Sequence, residues 1–375
     1  MQIEVNQKEL YHLLYLTSTI ANRRNTMPIV GNVKLTAGNG TLQVLASDLC
    51  ISLLGDMDAN VLRPGTLTVD AKFIYEIVKE LPEEVVHISS TEDCRLEIVS
   101  GNSRFKVSGA ASSEYPSING LALINPVSVD APKLHEMINN TLYAISTDDT
   151  RVNITGVCAE LLDEEGQKNK LRFIGTDGHR LAIIDRVIDG FDMLTHSVII
   201  PKKGVQEIKK LLEGNEGVAY VAINNGFFTV KSKRVILGVG LINGEFPNYR
   251  RHIPTEFKTS IDVDRLEFLS VARRVALVTT ENARNVILSV NDSDLRVSCC
   301  SEGFGEAVEN MHVRQDGDNV TVAFNARYLV ELISAMTSSE TVNIKLNGEK
   351  GSGVFVGDGD PLYMCVVMPV RFEQG

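Results

Sequence analysis

The chain has 375 residues, close to three times 125, and a single core seldom grows past about 250–300 residues, so two or three domains are expected. Hydrophobic residues make up 43% and charged residues 23%, which excludes collagen-like, disulfide-scaffold and disordered chains. Forty-eight Asp and Glu against 37 Lys and Arg leave a net charge of −11, which argues against binding nucleic acid by bulk electrostatics.

Taken in chain order, the first predicted element is a strand turning into a helix, QIEVNQKELYHLLYLTSTI. A strand pair follows at 40–54 (GTLQVLASDLCISLL), then a strand and helix at 67–82 (LTVDAKFIYEIVKELP), whose apolar face is Phe73, Ile74, Ile77, Val78 and Leu81. Three further strand signals, EVVHISS, CRLEIVS and FKVSG, lead to SSEYP at 112–116. The order then recurs. VSVDAPKLHEMINNTLYAI (127–145) precedes KLRFIGTDGHRLAIID (170–185), and VIIPKKGVQEIKKLLE (198–213) places Val205, Ile208, Leu211 and Leu212 on one face before NGEFP at 243–247. A third round runs through SIDVDRLEFLSVARRVALV (260–278), SDLRVSCCSEGFGEAVE (293–309) and VAFNARYLVELISAMT (322–337), with Leu329, Leu332, Ile333 and Met336 on its face.

Particular residues align across the rounds. Leu10, Leu134 and Leu266 correspond, with Asn6, Asp130 and Asp262 before them as turn or cap residues, and Glu76, Glu207 and Glu331 correspond on the second helices. The hinges Ser47–Asp48, Thr176–Asp177 and Ser301–Glu302 align as well. A period near 125 is too long for a solenoid, so each copy is expected to hold its own core. The expectation is an α+β chain of three similar domains, 1–122, 123–251 and 252–375, each an antiparallel sheet with two helices on one face. Such tandem copies curve, and a partner could close them into a ring without exposed sheet edges.

No window is apolar enough to span a bilayer, and MQIEVNQKEL lacks a signal-peptide layout. The cysteines Cys50, Cys94, Cys158, Cys299, Cys300 and Cys365 form no CxxC, and the histidines are scattered. Buried free thiols, a cytoplasmic location and no metal or cofactor are expected.

Four places could carry function. In Thr176-Asp177-Gly178-His179-Arg180-Leu181, turn residues bonding their own backbone outweigh a binding role for His179 and Arg180, and a hydrolase using Asp177 and His179 is a distant alternative. Phe246-Pro247-Asn248-Tyr249-Arg250-Arg251 is a linker or an aromatic and arginine wall for a peptide. The run from Met364 to Phe372 is a last strand or one side of a peptide groove. The six helix windows hold twelve Lys or Arg against nine Asp or Glu, a balance of +3 that leaves −14 elsewhere, and Lys72/Lys79, Lys202/Lys209 and Lys203/Lys210 each share a helix face. The Arg23-Arg24 pair adds a basic loop tip. A tandem-repeat scaffold without any DNA role is the remaining reading.

Over nearly its whole length the sequence resembles the bacterial sliding-clamp family, the β subunits of DNA polymerase III. The resemblance rests on MPIVGN (27–32), RFKVSG (104–109), GTDGHRLA (175–182), IPKKGVQEI (200–208), GEFPNYRR (244–251) and VVMPVR (366–371). It implies a non-enzymatic, head-to-tail homodimer whose ring encircles duplex DNA without reading sequence, its helices lining the hole. It also implies a groove that docks short linear motifs of polymerase, clamp loader and repair proteins. Carried over residue by residue, that groove comprises Ile154, Thr176, Gly178, His179, Arg180, Leu181, Pro247, Arg251, Ser352, Val366, Met368, Pro369, Val370 and Arg371. Dimer contacts carry over onto Phe105, Leu277 and Val278, and DNA contacts onto Arg24, Lys202 and Lys203. Val370 and Phe372 stand where the family often has Met and Leu, His252 follows the double Arg, Val152 and Asn153 replace aromatics, and Glu373-Gln374-Gly375 extend the tail.

Overall fold

The computed structural model describes residues 1–21, 27–91, 93–162, 170–191, 194, 196–279, 285–301 and 305–372. Among them six α-helices alternate with antiparallel strands. They are α1 (Gln7–Ser18), α2 (Ala71–Lys79), α3 (Ala131–Leu142), α4 (Lys202–Leu212), α5 (Arg265–Ala276) and α6 (Ala326–Ala335). Five begin at a side-chain cap, which satisfies amides that have no partner within the helix. Asn6 accepts from the amides of Lys8 and Glu9, Asp70 from Phe73, Asp130 from Lys133, Asp264 from Glu267 and Asn325 from Arg327.

These caps correct one register. The cap of α5 is Asp264, and Asp262 instead lies in the preceding strand, where its Oδ1 accepts from Asn343 Nδ2 at 2.7 Å. Counting four residues on from each cap gives Leu10, Leu134 and Phe268, all fully buried, whereas Leu266 is 65% exposed. The second helices also differ. Phe73, expected on the inner face of α2, is 51% exposed, while Ile74, Ile77 and Val78 are buried. The equivalent glutamates meet three environments, exposed at Glu76, buried at Glu207 and half-buried between two arginines at Glu331. Of the cysteines, Cys158, Cys299 and Cys365 are buried as expected, but Cys50 and Cys300 are exposed.

The chain's contacts group into two compact units, Met1–His135 with Lys203–Leu241, and Glu136–Lys202 with Ile242–Gly375. The first holds a thirteen-stranded sheet in which Val235–Gly240 pairs antiparallel with Ile51–Asp58, so strands from the first and middle thirds are continuous. The second holds a nine-stranded sheet, continuous from the middle to the last third through Arg180–Val187 and Asp360–Val367, and a four-stranded sheet. Each such pairing removes an exposed sheet edge. Several strands pair on one side only among the described residues, Ser103–Ser108 of the strand Ser103–Ala110 and Gly305–His312, one of the two outer strands of the four-stranded sheet, among them. Alternation along strands such as Asn32–Gly38 buries Val33, Leu35 and Ala37 under the helices. α4 packs so closely on its sheet that a Cβ at Gly204 would lie 2.2 Å from Val239 Cγ1. No helix among the described residues is long and apolar enough to cross a membrane.

Candidate peptide groove

The hinge at 176–180 closes on its own side chains. Asp177 Oδ1 accepts from the amides of His179 (2.9 Å) and Arg180 (3.1 Å), while Thr176 Oγ1 accepts from the Gly178 amide and donates to the Arg180 carbonyl. Gly178 takes φ of 91°, and a Cβ there would meet the Arg151 guanidinium at 2.6 Å. The equivalent hinge in the first third is built alike, with Asp48 Oδ1 accepting from the Cys50 and Ile51 amides and Ser47 Oγ from Leu49. The third hinge includes Glu302, which lies outside the described residues.

The remaining oxygen of Asp177 accepts from Arg180 Nε at 3.0 Å. With its carboxylate committed to backbone amides and an arginine, Asp177 cannot serve His179 as the orienting acid of a hydrolase. Among the described residues no three His, Cys, Asp or Glu side chains gather as a metal site.

Arg180 is itself only 7% exposed. Its guanidinium bonds Asp177, Glu331 of α6 and the Tyr143 carbonyl, and lies between the rings of Tyr328 (4.3 Å) and Tyr143 (5.1 Å). Burial pushes Glu331 up, but hydrogen bonds from Arg327 and Arg180 outweigh it and leave that carboxyl below its ordinary value. Behind Arg180, the Tyr143 hydroxyl meets Tyr363 Oη at 2.9 Å and Cys365 Sγ at 3.0 Å, and burial raises the Cys365 thiol to about 11. These groups form a closed structural knot.

Beside the hinge lies a cavity of about 490 Å³. Its floor belongs to an apolar cluster that includes Leu181, Tyr249 and Val366, with Ile253 packed against it. The strand Asp360–Val367 supplies one wall, fixed to the hinge by the Met368 amide donating to the His179 carbonyl at 2.9 Å. The 3₁₀ turn Tyr249–His252 supplies another, and Tyr249 Oη is anchored between Arg172 and Glu160. Ile154, Thr176, Gly178, His179, Arg180, Leu181, Pro247, Arg251, Ser352, Val366 and Met368 all line this cavity. Pro369, Val370 and Arg371 line a second cleft of about 750 Å³ that shares Ser352 and Met368 with the first. The fourteen residues named from the sequence thus lie along two adjoining clefts. Sequence reasoning left out Arg151, Ile253, Pro254, Glu349 and Lys350, which line them too. Ile253 and Pro254 directly follow Arg251–His252, so adjacency could have suggested them, whereas no local pattern marks Arg151, which reaches the cavity past a side-chain-free Gly178.

The other named residues are more scattered. Arg24 lies outside the described residues. Lys203 Nζ is paired with Asp48 Oδ2 at 2.5 Å, and Lys202 is half-buried, its pKa lowered by burial and then by the charges of Arg180 and Arg327. Phe105 is 38% exposed on the free edge Ser103–Ser108, Leu277 is 82% exposed after α5, and Val278 is half-buried beside it.

Comparison with known proteins follows the same three-part order. The descriptions "DNA polymerase III beta subunit" N-terminal, central and C-terminal domain match residues 1–119, 128–248 and 250–371. The beta sliding clamp of Caulobacter vibrioides is 29% identical over 373 residues, covering 99% of this chain and all of the relative, and that of Pseudomonas aeruginosa is 29% identical over 382 with the same coverage. Among solved structures, the Bartonella birtlesii sliding clamp bound to griselimycin gives a TM-score of 0.93 at 28% identity, covering 99% of this chain and 100% of that one. The C. crescentus clamp gives 0.92 at 29%, covering 99% of each chain. The Bacillus subtilis clamp gives 0.93 over the whole of both chains at 24% identity, a likeness of fold alone.

Proposed function

The chain belongs to the DNA polymerase III beta-subunit family, and from that premise we propose that two copies join head to tail into a ring that encircles duplex DNA and tethers the polymerase to it. It is a processivity factor and has no catalytic step of its own. A protein held by phosphate neutralisation loses about 10³–10⁵ in affinity across physiological salt, and each contact brakes its movement. Enclosure needs neither strong contacts nor sequence readout, so a weakly basic helix surface on a chain of net charge −11 suffices. A tethered polymerase gains effective concentration at its template.

The observation that carries the docking half of this reading is the apolar-floored cavity beside the 176–180 hinge, where residues from five separate stretches of sequence converge. A short linear motif from polymerase, clamp loader or repair proteins would insert its apolar side chains over Leu181 and Val366.

For the dimer, the one-sided strands Ser103–Ser108 and Gly305–His312 complement each other. Arg104 and Lys106 flank Phe105 on one, and Glu306 and Glu309 flank Val308 on the other. Antiparallel pairing of these edges between two copies would remove both and cover Phe105, Val308 and Leu277. The three sequence thirds, 1–122, 123–251 and 252–375, would then place six similar domains around the DNA. Such a protein works in the cytoplasm, at the nucleoid during replication.

The test loads the protein onto closed circular DNA with its clamp loader and ATP. Retention in high salt on the circle, and release once the circle is cut, is expected. Equal retention on cut and closed DNA overturns the reading.

A further inference from the structure

We propose that Tyr249 is the positioning residue of the groove: its hydroxyl, held between Arg172 and Glu160, fixes the 3₁₀ turn that presents Pro247 and Arg251 to a docked segment. The inference rests on the groove reading above and says what holds one wall of it in place.

That wall has little of its own to hold it. From Asn243 to Lys258, Tyr249 is the one buried residue, and its neighbours Pro247, Asn248, Arg250, Arg251 and His252 are all exposed. The turn Tyr249–His252 is four residues long and has no side-chain cap. So short a helix gains too few hydrogen bonds to offset the entropy of fixing its backbone, and its orientation depends on tertiary anchors.

The anchor is a row of charges on the sheet. Glu160, Arg172 and Asp185 stand directly opposite one another on three adjacent strands, Gly156–Leu162, Lys170–Thr176 and Arg180–Val187. Arg172 forks onto Asp185 through Nε at 2.6 Å and Nη2 at 2.7 Å, which leaves Nη1 to donate to Tyr249 Oη at 3.1 Å. An arginine only donates and a carboxylate only accepts, so the hydroxyl accepts from Arg172 and donates to Glu160 Oε1. Its direction is thereby set. Burial, and then the bond to Glu160, push the hydroxyl up to about 12, which keeps its proton in place at neutral pH. Arg250 bonds the same Glu160 oxygen at 2.8 Å, its guanidinium 5.0 Å from the centre of the Tyr249 ring.

Ring and hydroxyl do different things. The ring belongs to the apolar cluster that includes Leu181, Ile183 and Val366, a place phenylalanine would fill equally well. The hydroxyl adds nothing to that packing. It sets how the turn sits on the sheet, and Pro247 and Arg251, two residues to either side, take their places in the cavity lining from it. A groove whose wall stands ready before binding loses no affinity to ordering it.

The probe is a nonapeptide selected from a random phage-displayed library against the full-length protein, and chosen because Met368→Asp, a change elsewhere in the cavity lining, abolishes its binding. Tyr249→Phe should bind it roughly five- to twenty-fold more weakly, because the turn then holds its binding arrangement only part of the time. In the free variant the Ile253 amide, which donates to the Arg250 carbonyl at 3.3 Å, should exchange faster with solvent. Glu160→Gln keeps an acceptor for the hydroxyl and should bind within about two-fold of the unaltered protein, while Glu160→Leu should match Tyr249→Phe. Phe268→Ala, a buried change outside the cavity lining, should lower stability and leave peptide affinity unchanged, which separates positioning from a general loss of stability. Binding by Tyr249→Phe within about two-fold of the unaltered protein, equal binding by Glu160→Gln and Glu160→Leu, or as large a loss in Phe268→Ala overturns the inference and leaves the groove standing. Absence of any peptide sensitive to Met368→Asp overturns the groove reading and this inference with it. Should Tyr249→Phe fail to fold, the two Glu160 variants decide.

Discussion

Replacing Arg180 by methionine keeps the length of the side chain and removes its charge, which isolates what the buried knot contributes. The change leaves Asp177 and Glu331 without their common partner, both of them half-buried or less exposed, and leaves the Tyr143 carbonyl without its donor. It also empties the space between the Tyr143 and Tyr328 rings of a cation at 5.1 and 4.3 Å. Breaking a buried ion pair by removing one partner costs about 3–5 kcal/mol, because the charge left behind is desolvated and unanswered. Converting Glu331 to leucine in the same protein removes a half-buried carboxylate left with Arg327 as its one remaining charged partner, so Arg180→Met/Glu331→Leu should recover about 1–2 kcal/mol of the loss. The assay is urea unfolding followed by hydrogen exchange of the amides in Arg180–Val187, which reports on this unit separately from the other. The pH dependence has a fixed sign. Glu331 titrates below its ordinary value of 4.5, so its contribution is complete above about that pH and is lost as pH falls through the folded value. Arg180→Met should flatten that acid-side loss. A variant within 1 kcal/mol of the unaltered protein, or a double variant as unstable as the sum of its single changes, refutes the reasoning.

Three further outcomes are expected. Phe268→Ala should cost about 3–5 kcal/mol in chemical denaturation and Leu266→Ala less than about 0.5, since only the former is buried; the reverse order would restore the Leu266 register. Phe105→Asp or Leu277→Glu, each at an exposed site, should shift the mass measured by light scattering from dimer to monomer without lowering the melting temperature of the monomer, and an unchanged mass for both rejects the proposed edge pairing. Burial pushes the Lys210 amine down to about 8 from 10.5, with Glu207 offsetting only part of it, so the unfolded chain binds the extra proton between those values and stability rises with pH across that window. Lys210→Met should remove this rise, read as the difference in melting temperature between pH 7.5 and 9.5, and an identical difference in both proteins rejects the assignment.

The sequence by itself determined the local elements and their threefold order. Caps at Asn6, Asp70, Asp130 and Asn325 and the 3.6-residue apolar faces act within one turn, so they can be read wherever they occur. The Ser47–Asp48 and Thr176–Asp177 hinges were equally legible, because each carboxylate bonds amides two and three residues on. The groove residues came from resemblance, since they lie on stretches up to 217 positions apart and share no spacing. Tertiary structure decided the rest. It buried Arg180 between Tyr328 of α6 and Tyr143 just past the end of α3, paired Lys203 with Asp48 rather than leaving it free, and brought Arg151 against Gly178. It also divided the middle third between two compact units, because its strands hydrogen-bond to the first third on one side and to the last on the other. Such choices depend on which distant backbone satisfies an edge and which distant charge answers a buried one, and neither is encoded within the reach of a single element.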